Sequence, residues 1–349
     1  MSLLRNIDKF VRWSEEQKQY VPPYWRRNVL PSWLGYDPAD LNQANGLVTV
    51  NAAGAPTPPV SFQQPYWSVN GADEGMGTPF EVRSLVYASH STGAPPFAEN
   101  TATANYTVLL QEVGQARQFM NLPVHIRCLA GTAQLPALLR EPYYMQSKHS
   151  LSVQYAKVAG AAVGVRLFLV GAQFFPWDPE FQKYPNNKKL LLDLLRKWEN
   201  RKQYVSPYWL VPEQNVNLLA NAVADFFLKV GDDGHFEGFT ITSVSTGNFG
   251  WELSEPKTQQ TILNGQGTQT NSIGTALFPT LLPTPYLIPA GYRLRLRLTN
   301  LTANPNQIFF TIAGRKIYAP LKDVGDVLQS TAVPTPADVE SQIVPKPLV

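Results

Sequence analysis

A long stretch of this chain occurs twice, and the two copies align without a gap. The first copy, from Gly131 to Phe175, reads GTAQLPALLREPYYMQSKHSLSVQYAKVAGAAVGVRLFLVGAQFF. The second, from Gly274 to Tyr318, reads GTALFPTLLPTPYLIPAGYRLRLRLTNLTANPNQIFFTIAGRKIY. Identical residues recur at a constant spacing, with Gly131, Thr132, Ala133, Pro136, Leu138, Leu139, Pro142, Tyr143, Leu151 and Gly171 matching Gly274, Thr275, Ala276, Pro279, Leu281, Leu282, Pro285, Tyr286, Leu294 and Gly314. The chain therefore contains one module twice.

Each copy has the periodicity of β-strands. Apolar and polar residues alternate from Leu151 to Tyr155, and leucines alternate with arginines from Arg293 to Leu298. This period of two is typical of a strand with one buried face. A turn-rich segment and a second apolar strand follow, at 158–170 and at 301–312. We therefore predict that each copy contains a β-hairpin.

Composition limits the class of protein. The 349 residues include 30 prolines and eight tryptophans but only 16% charged residues, which favours a loop-rich β protein with room for two domains. The net charge of +3 does not indicate a sequence-specific nucleic-acid binder. Cys128 is the only cysteine, which is compatible with folding in a reducing cytosol. We find no apolar run of membrane-spanning length and no signal-peptide core, so we expect a soluble protein.

A helix and an aromatic elbow precede each set of strands. Residues 3–18 and 188–203 have the pattern of amphipathic helices. The segment KQYVPPYW ends the first at Trp25, and KQYVSPYW ends the second at Trp209. The repeated unit is therefore predicted to be a helix, an elbow and a β-sandwich.

The two copies lie at different distances from their elbows, which places extra chain between Gly35 and Thr78. This segment is rich in Gly, Ala, Pro and Asn, and we predict an extended arm lying on a surface, with a free linker as the alternative. In the second copy, residues 222–230 and 236–244 flank the turn GDDGH and predict another hairpin.

The predicted fold class is mainly β, with two tandem antiparallel β-sandwich (jelly-roll-like) domains. The predicted divisions are the N-terminal helix and elbow at 1–35, the arm at 36–77, the first sandwich at 78–177, a linker helix and elbow at 178–210, the second sandwich at 211–320 and a polar C-terminal tail at 321–349.

Several motifs of the chain resemble β-sandwich modules found in structural proteins of tailed-bacteriophage virions. The first copy has Phe80-Glu81, Pro123-Val124-His125, Gly131-Thr132-Ala133 with Pro136, and Gly171 with Phe174-Phe175. The second copy keeps Phe236-Glu237, Gly274-Thr275-Ala276 with Pro279, and Gly314 with Tyr318, but it lacks Pro-Val-His. The resemblance implies a virion protein assembled in the host cytoplasm, which forms a neck or collar ring or an outer capsid decoration. Its implied partners are capsid, portal or neck subunits and further copies of itself.

Catalytic, cofactor and metal motifs are not found in the sequence. The four histidines, at positions 90, 125, 149 and 235, are scattered and have no metal-ligand spacing to one another or to Cys128. The stretch Asp232 to His235 could bind calcium, but a plain turn is favoured because further acidic positions are missing. We therefore expect no enzyme activity, no cofactor and no bound metal.

Binding is then the expected role, and the candidate interface residues are aromatic or basic. The arginines at 293, 295 and 297 would form a basic stripe on one strand face, or simply a solvated sheet face. Aromatic faces at the elbows also leave open a receptor- or glycan-binding protein of a phage tail or fibre, and a sandwich-type hydrolase is the third class. The candidates are Phe10, Trp13, Tyr20, Tyr24, Trp25, Tyr66, Trp67, Trp198, Tyr204, Tyr208, Trp209, Arg293, Arg295 and Arg297.

Overall fold

The computed structural model describes residues 29–37, 40, 47–62, 80–91, 104–113, 117–145, 150–174, 205–256, 261–262 and 266–318. These residues form four antiparallel sheets, which pack in pairs as two β-sandwiches. The predicted fold class is confirmed: the chain is mainly β, with antiparallel sheets arranged as jelly-roll-like sandwiches. Neither of the described helices has the length and apolar character of a membrane span.

The first sandwich consists of sheets 1 and 2. Sheet 1 has the order β1-β10-β4-β8, with β2 also pairing with β10. Sheet 2 has the order β3-β9-β5-β6, with β7 also pairing with β5. A short helix, α1, follows β7. The elements are β1 (Val29–Leu34), β2 (Val48–Val50), β3 (Val60–Ser61), β4 (Phe80–Ser91), β5 (Tyr106–Glu112), β6 (Arg117–Gln118), β7 (Val124–His125), α1 (Ile126–Leu129), β8 (Ala137–Met145), β9 (Leu151–Lys157) and β10 (Val163–Phe174).

The second sandwich consists of sheets 3 and 4. Sheet 3 has the order β11-β19-β14-β17, with β12 also pairing with β19, and sheet 4 has the order β13-β18-β15-β16. Its elements are β11 (Val205–Leu210), β12 (Val216–Leu218), β13 (Val223–Lys229), β14 (His235–Ser245), β15 (Phe249–Ser254), β16 (Gly267–Thr268), α2 (Gln269–Ser272), β17 (Thr280–Ile288), β18 (Arg293–Asn300) and β19 (Asn306–Ile317).

The two sandwiches have corresponding strand orders. β10 lies between β1 and β4, as β19 lies between β11 and β14, and β9 lies between β3 and β5, as β18 lies between β13 and β15. Two of the repeated glycines have a packing reason. A Cβ on Gly171 would lie 1.8 Å from a backbone oxygen of β4, and one on Gly314 would lie 2.0 Å from the equivalent oxygen of β14. Both sites therefore require glycine, because the two strands approach too closely for a side chain.

The predicted hairpins are wrong. β9 and β10 follow one another in sequence, but they lie in opposite sheets of the first sandwich. β18 and β19 are divided in the same way, and so are β13 and β14, on either side of the turn GDDGH. Alternation shows that a strand buries one face, but it does not show which neighbour completes its hydrogen bonds. These connections cross the edge of a sandwich instead of reversing within one sheet.

The stretch predicted as a surface arm contributes two strands to the sandwich, joined by an exposed loop at 52–59. β2 pairs with β10, and β3 pairs with β9, so this segment adds a strand to both sheets. Val50 and Phe62 are 0% and 1% exposed. The prediction of a surface arm was wrong because apolar residues spaced by two form edge strands here, despite the surrounding Gly and Pro. The predicted helices, the first elbow and the C-terminal tail lie outside the described residues.

Each sandwich has its own apolar core between its two sheets. In the first, β10 residues such as Leu167 pack against β5 residues such as Val108, both fully buried. In the second, Phe310 of β19 packs against Trp251 of β15, with ring centroids 5.7 Å apart. The first core also includes Trp209, which belongs to the second sandwich. The two sandwiches are therefore joined through side-chain packing and not only through the chain.

Candidate functional site: the junction of the sandwiches and the outer face of sheet 1

The predicted basic stripe lies on the outer face of β18. The arginine side chains at 293 and 297 are 54% and 48% exposed. An Nη2 of Arg293 lies 3.4 Å from an oxygen of Glu213, and Nε of Arg297 lies 4.0 Å from an oxygen of Asp225. Arg295 donates to the hydroxyl of Ser254 at 3.2 Å. Because Asp225 of β13 and Glu213 of the β11–β12 loop supply acidic neighbours, the stripe has the character of a solvated, mixed-charge face.

Two predicted interface aromatics are buried inside the chain. Tyr208 and Trp209 lie in β11 and are only 4% and 5% exposed, so they are not available to a neighbouring subunit. The alternation of β11 places Tyr208 in the core of the second sandwich and Trp209 in the core of the first. The other aromatic candidates lie outside the described residues: Phe10, Trp13, Tyr20, Tyr24, Trp25, Tyr66, Trp67, Trp198 and Tyr204.

Trp209 anchors the junction between the sandwiches. Its backbone N–H donates to the carbonyl of Phe119 at 2.9 Å, so β11 adds to a backbone segment of the first sandwich. Asn121 continues this contact with two hydrogen bonds to the backbone of Val211, at 2.8 and 2.9 Å. Burial of one tryptophan side chain removes about 150–250 Å² from water, which corresponds to roughly 4–6 kcal/mol of transfer free energy.

Helix α1 of the first sandwich lies against the outer face of sheet 3. The hydroxyl of Thr242 donates to the carbonyl of Cys128 at 3.4 Å, and the N–H of Ala276 donates to the carbonyl of Arg127 at 2.9 Å. The Cys128 thiol is 3.9 Å from the carbonyl of Phe309. The outer faces of β14 and β19 are therefore covered by α1.

His125 begins α1 and belongs to the same junction. Its Nδ1 accepts from the N–H of Arg127 at 3.3 Å, and its Nε2 lies 3.4 Å from the side-chain oxygen of Asn105. Its ring packs on Phe309, with centroids 4.6 Å apart. Burial, with smaller effects from the charges of Arg127 and Lys157, lowers the pKa of His125 to about 3. The ring is therefore neutral and acts as a helix cap instead of a general acid or base.

Ion pairs also connect the sandwiches. Arg315 of β19 contacts Glu237 of its own sheet at 2.5 Å and Glu141 of β8 in the first sandwich at 3.2 Å. All three side chains are less than one-fifth exposed, so removal of the guanidinium would leave two poorly solvated carboxylates. This arrangement fixes the orientation of the two units.

A cleft of about 630 Å³ opens beside this junction and contains several ionisable groups. Lys316 is bound to Asp233 at 2.5 Å and lies over the rings of Tyr208 and Tyr318, 4.8 and 5.3 Å from their centroids. Arg117 also lies over the ring of Tyr318, with its guanidinium carbon 4.8 Å from the ring centroid. Burial raises the pKa of both tyrosine hydroxyls, so they are protonated. Lys316 and Arg117 are therefore engaged with a carboxylate and with aromatic rings.

Metal binding finds no support in the described part of the chain. No group of three or more His, Cys, Asp or Glu side chains converges there as ligands would. Asp233, in the turn considered for calcium, binds Lys316, and Nδ1 of His235 accepts from the N–H of Ala290 at 3.0 Å.

The structural counterpart of Trp209 is Trp33, and the sequence comparison missed it. Trp33 pairs with Val170 of β10, as Trp209 pairs with the equivalent Ala313 of β19. The segment VLPSWL of β1 therefore matches VSPYWL of β11, whereas the sequence pairs Trp209 with Trp25. Trp33 is 65% exposed, although its counterpart is almost completely buried.

Trp33 lies on an apolar sheet surface, which we call the Trp33 face. Arg166 is exposed, and the other side chains next to Trp33 on this outer face of sheet 1 are half-buried. An unbroken apolar run in β10, LFLVGA, is the signal that could have revealed it, because strands buried on both faces lose their alternation. The Trp33 face consists of Trp33, Val86, Ala88, Arg166, Phe168 and Val170.

No protein-family model and no curated protein matches the chain. Solved structures give weak similarities. The insecticidal delta-endotoxin Cry8Ea1 of Bacillus thuringiensis has a TM-score of 0.20 and 6% identity, over 84% of this chain and 53% of the toxin. Infectious bursal disease virus, Gt strain, has 0.19 and 9%, over 83% and 70%, and vicilin from Capsicum annuum has 0.17 and 8%, over 82% and 95%. The chain thus spans about half the length of the toxin, and TM-scores this low carry no argument about function.

Proposed function

We propose that this chain is a non-enzymatic structural protein of a tailed-bacteriophage virion, which forms a neck or collar ring or an outer capsid decoration by subunit binding. The virion assignment rests on the motif resemblance, from Phe80-Glu81 to the closing Gly171 with Phe174-Phe175. The binding role rests on the structure. Its partners would be capsid, portal or neck subunits and other copies of the chain, and it would assemble in the host cytoplasm.

The observation that carries this proposal is the exposure of Trp33 on an apolar sheet face. A tryptophan that is 65% exposed beside half-buried Phe168, Val86 and Val170 leaves a contiguous apolar surface in water. Such patches on folded proteins mark contacts with other proteins, and tryptophan is among the residues most enriched at their centres. The chain therefore has a surface suited to a protein partner.

The state of the charged groups supports binding over catalysis. A cleft of converging ionisable side chains would favour a hydrolase if one of them were a free acid or base. In the cleft beside the junction, Lys316 and Asp233 neutralise each other, and Arg117 lies on Tyr318. This pairing is what a rigid structural contact requires.

The glycan-binding alternative is less well supported. Sugar recognition by aromatic residues requires open ring faces, but Lys316 and Arg117 lie over the tyrosine rings of the cleft. The elbow residue Trp209 is buried. The remaining elbow aromatics and Trp67 lie outside the described residues.

The test is attachment of the purified full chain to empty heads assembled without it, followed by cryo-electron microscopy to locate it. We expect stable co-sedimentation with the heads and density of the two sandwiches at the neck or on the capsid surface. Glycan-array binding that disappears in Trp67→Ala, without attachment to heads, would instead establish the receptor-binding role.

A further inference from the structure

The junction inside the chain is a template for a contact between chains. Within the chain, the outer face of sheet 3 is covered by α1 and by the segment around Phe119, with Trp209 at its centre. The Trp33 face is the same surface on the first sandwich. Of the described elements, α1 packs on β14 and β19, and neither helix packs on β4 or β10 in this way.

The correspondence between the two faces follows from strand register. Phe168 pairs with Val86 as Thr311 pairs with Thr242, and Arg166 pairs with Ala88 as Phe309 pairs with Val244. The uncovered face is therefore at least as apolar as the covered one at the compared positions, except at Arg166 and at Ala88, which is smaller than its counterpart Val244. An apolar face of this kind is not expected on a strand exposed to solvent, because the outward residues of such a strand are normally polar.

The second sandwich carries the surface that could cover the Trp33 face. Ile262 matches Phe119, because the N–H of each donates to the equivalent carbonyl of β15 or β5, on Leu253 or Leu110. Helix α2 occupies the place of α1, and none of its residues is buried. Each chain therefore has one receiving face at its first sandwich and one inserting face at its second.

Where the Trp33 face differs from the covered face, helix α2 differs from α1 in a compatible way. In the internal junction, Cys128 of α1 lies against the backbone of Phe309. The corresponding residues of the proposed contact are Asn271 of α2 and Arg166 of the Trp33 face. The buried thiol of Cys128 and the half-buried Phe309 are thus replaced by an amide and a guanidinium, which can hydrogen-bond to each other at a wetter interface.

We propose that a second copy of this chain binds the Trp33 face through its Ile262 and α2 surface, repeating the internal junction head to tail. This inference rests on the proposed function, since it identifies the contact through which the protein would assemble. The two surfaces are different, so the contact is heterologous and generates a ring if the rotation closes, or a filament if it does not. Trp33 would occupy the place that Trp209 has within the chain.

Disulfide trapping of the full chain tests the contact. The parent for all variants is Cys128→Ser, which removes the only cysteine. Arg166→Cys combined with Asn271→Cys places thiols at the positions equivalent to Phe309 and Cys128, where the Cys128 thiol lies 3.9 Å from the backbone carbonyl of Phe309. Mild oxidation should then give a ladder of covalent multimers on non-reducing gels. The matched control, Arg297→Cys with Asn271→Cys, uses the exposed face of sheet 4 and should give no ladder.

Trp33→Glu supplies the second arm and is measured by mass photometry and light scattering. Because Trp33 is exposed, the variant should keep the thermal stability of the parent while self-association weakens by about 30-fold or more. A multimeric parent without the ladder, or a ladder unchanged by Trp33→Glu, overturns the inference but leaves attachment to heads untouched. A parent that stays monomeric at tens of micromolar also overturns the inference. If Trp33 becomes more accessible when residues 1–28 are removed, that segment and not a second copy occupies the Trp33 face.

Discussion

His125 provides a pH dependence that can be worked out from the structure. The ring is buried, and its pKa falls from 6.5 to about 3 on folding. Below pH 6.5 the unfolded chain takes up a proton that the folded chain does not, so stability is complete above this pH and is lost as the pH falls toward 3. From pH 7 to pH 5 this one group should cost about 2 kcal/mol, at about 1.4 kcal/mol per pH unit below 6.5.

The matched variant is His125→Asn, which removes the titrating ring and keeps a good helix cap for α1. It should lose about 1 kcal/mol at pH 7, because the contact of the ring with Phe309 is lost. Its loss between pH 7 and pH 5 should be about 2 kcal/mol smaller than that of the parent, measured by urea unfolding at each pH. Carboxylates and other histidines titrate in both proteins and cancel in the difference.

Equal losses in the parent and the variant would refute this reasoning. They would mean that the ring takes up its proton in the folded protein with the same pKa as in the unfolded chain, or that the junction opens before the rest of the protein unfolds. Chemical shifts of the His125 ring in the intact parent distinguish these outcomes, because a neutral ring keeps its shifts from pH 7 to pH 5.

Three further predictions concern packing, charge and reactivity. Gly171→Ala should unfold the chain or cost about 3 kcal/mol or more in urea unfolding, since its Cβ would overlap a backbone oxygen, whereas a Cβ on Gly35 meets only a ring carbon at 3.5 Å and Gly35→Ala should change stability by less than about 0.5 kcal/mol. Arg315→Ala should cost about 3 kcal/mol in the same assay because it removes the ion-pair partner of the poorly solvated Glu237 and the contact to Glu141, whereas Arg297→Ala, with an exposed ion pair, should cost less than about 1 kcal/mol. Burial raises the pKa of the Cys128 thiol to about 12, so a thiol reagent at pH 8 should label it only after unfolding, and rapid labelling of the native protein would contradict the buried position.

The sequence predicted the strands well because the repeat and the period of two act locally. β9 and β18 occur where alternation placed them, and the repeated glycines have the same contacts in both sandwiches. Pairing between strands was not predictable in this way, because a strand with one buried face can join either sheet of a sandwich. Val48 to Phe62 was predicted as an arm because Gly, Ala, Pro and Asn make up about half of it, although a few apolar residues are enough for two edge strands.

The candidate site shows the same limit of prediction from sequence. Sequence identity pairs Trp209 with Trp25 through the motif YVxPYW, but hydrogen-bond register pairs it with Trp33 through the weaker match of VLPSWL to VSPYWL. Local sequence identity is a poor guide to structural equivalence where hydrogen bonding to a neighbouring strand determines the position of a short strand. The arginines of β18 were the most visible charge feature, yet two of them lie beside carboxylates of their own sandwich, Asp225 and Glu213.

A duplicated unit with one internal junction necessarily has two ends that are not equivalent. Among the described residues, the receiving surface of the first sandwich and the inserting surface of the second have no counterpart that covers them. If the chain worked alone, both would be expected to become polar, because an apolar face in water promotes association. Helix α2 is polar, whereas the surface around Trp33 has large apolar side chains. An apolar Trp33 face on the first sandwich and a polar helix α2 on the second are better explained by an asymmetric contact between chains. In such a contact, tryptophan supplies the affinity and polar groups fix the register.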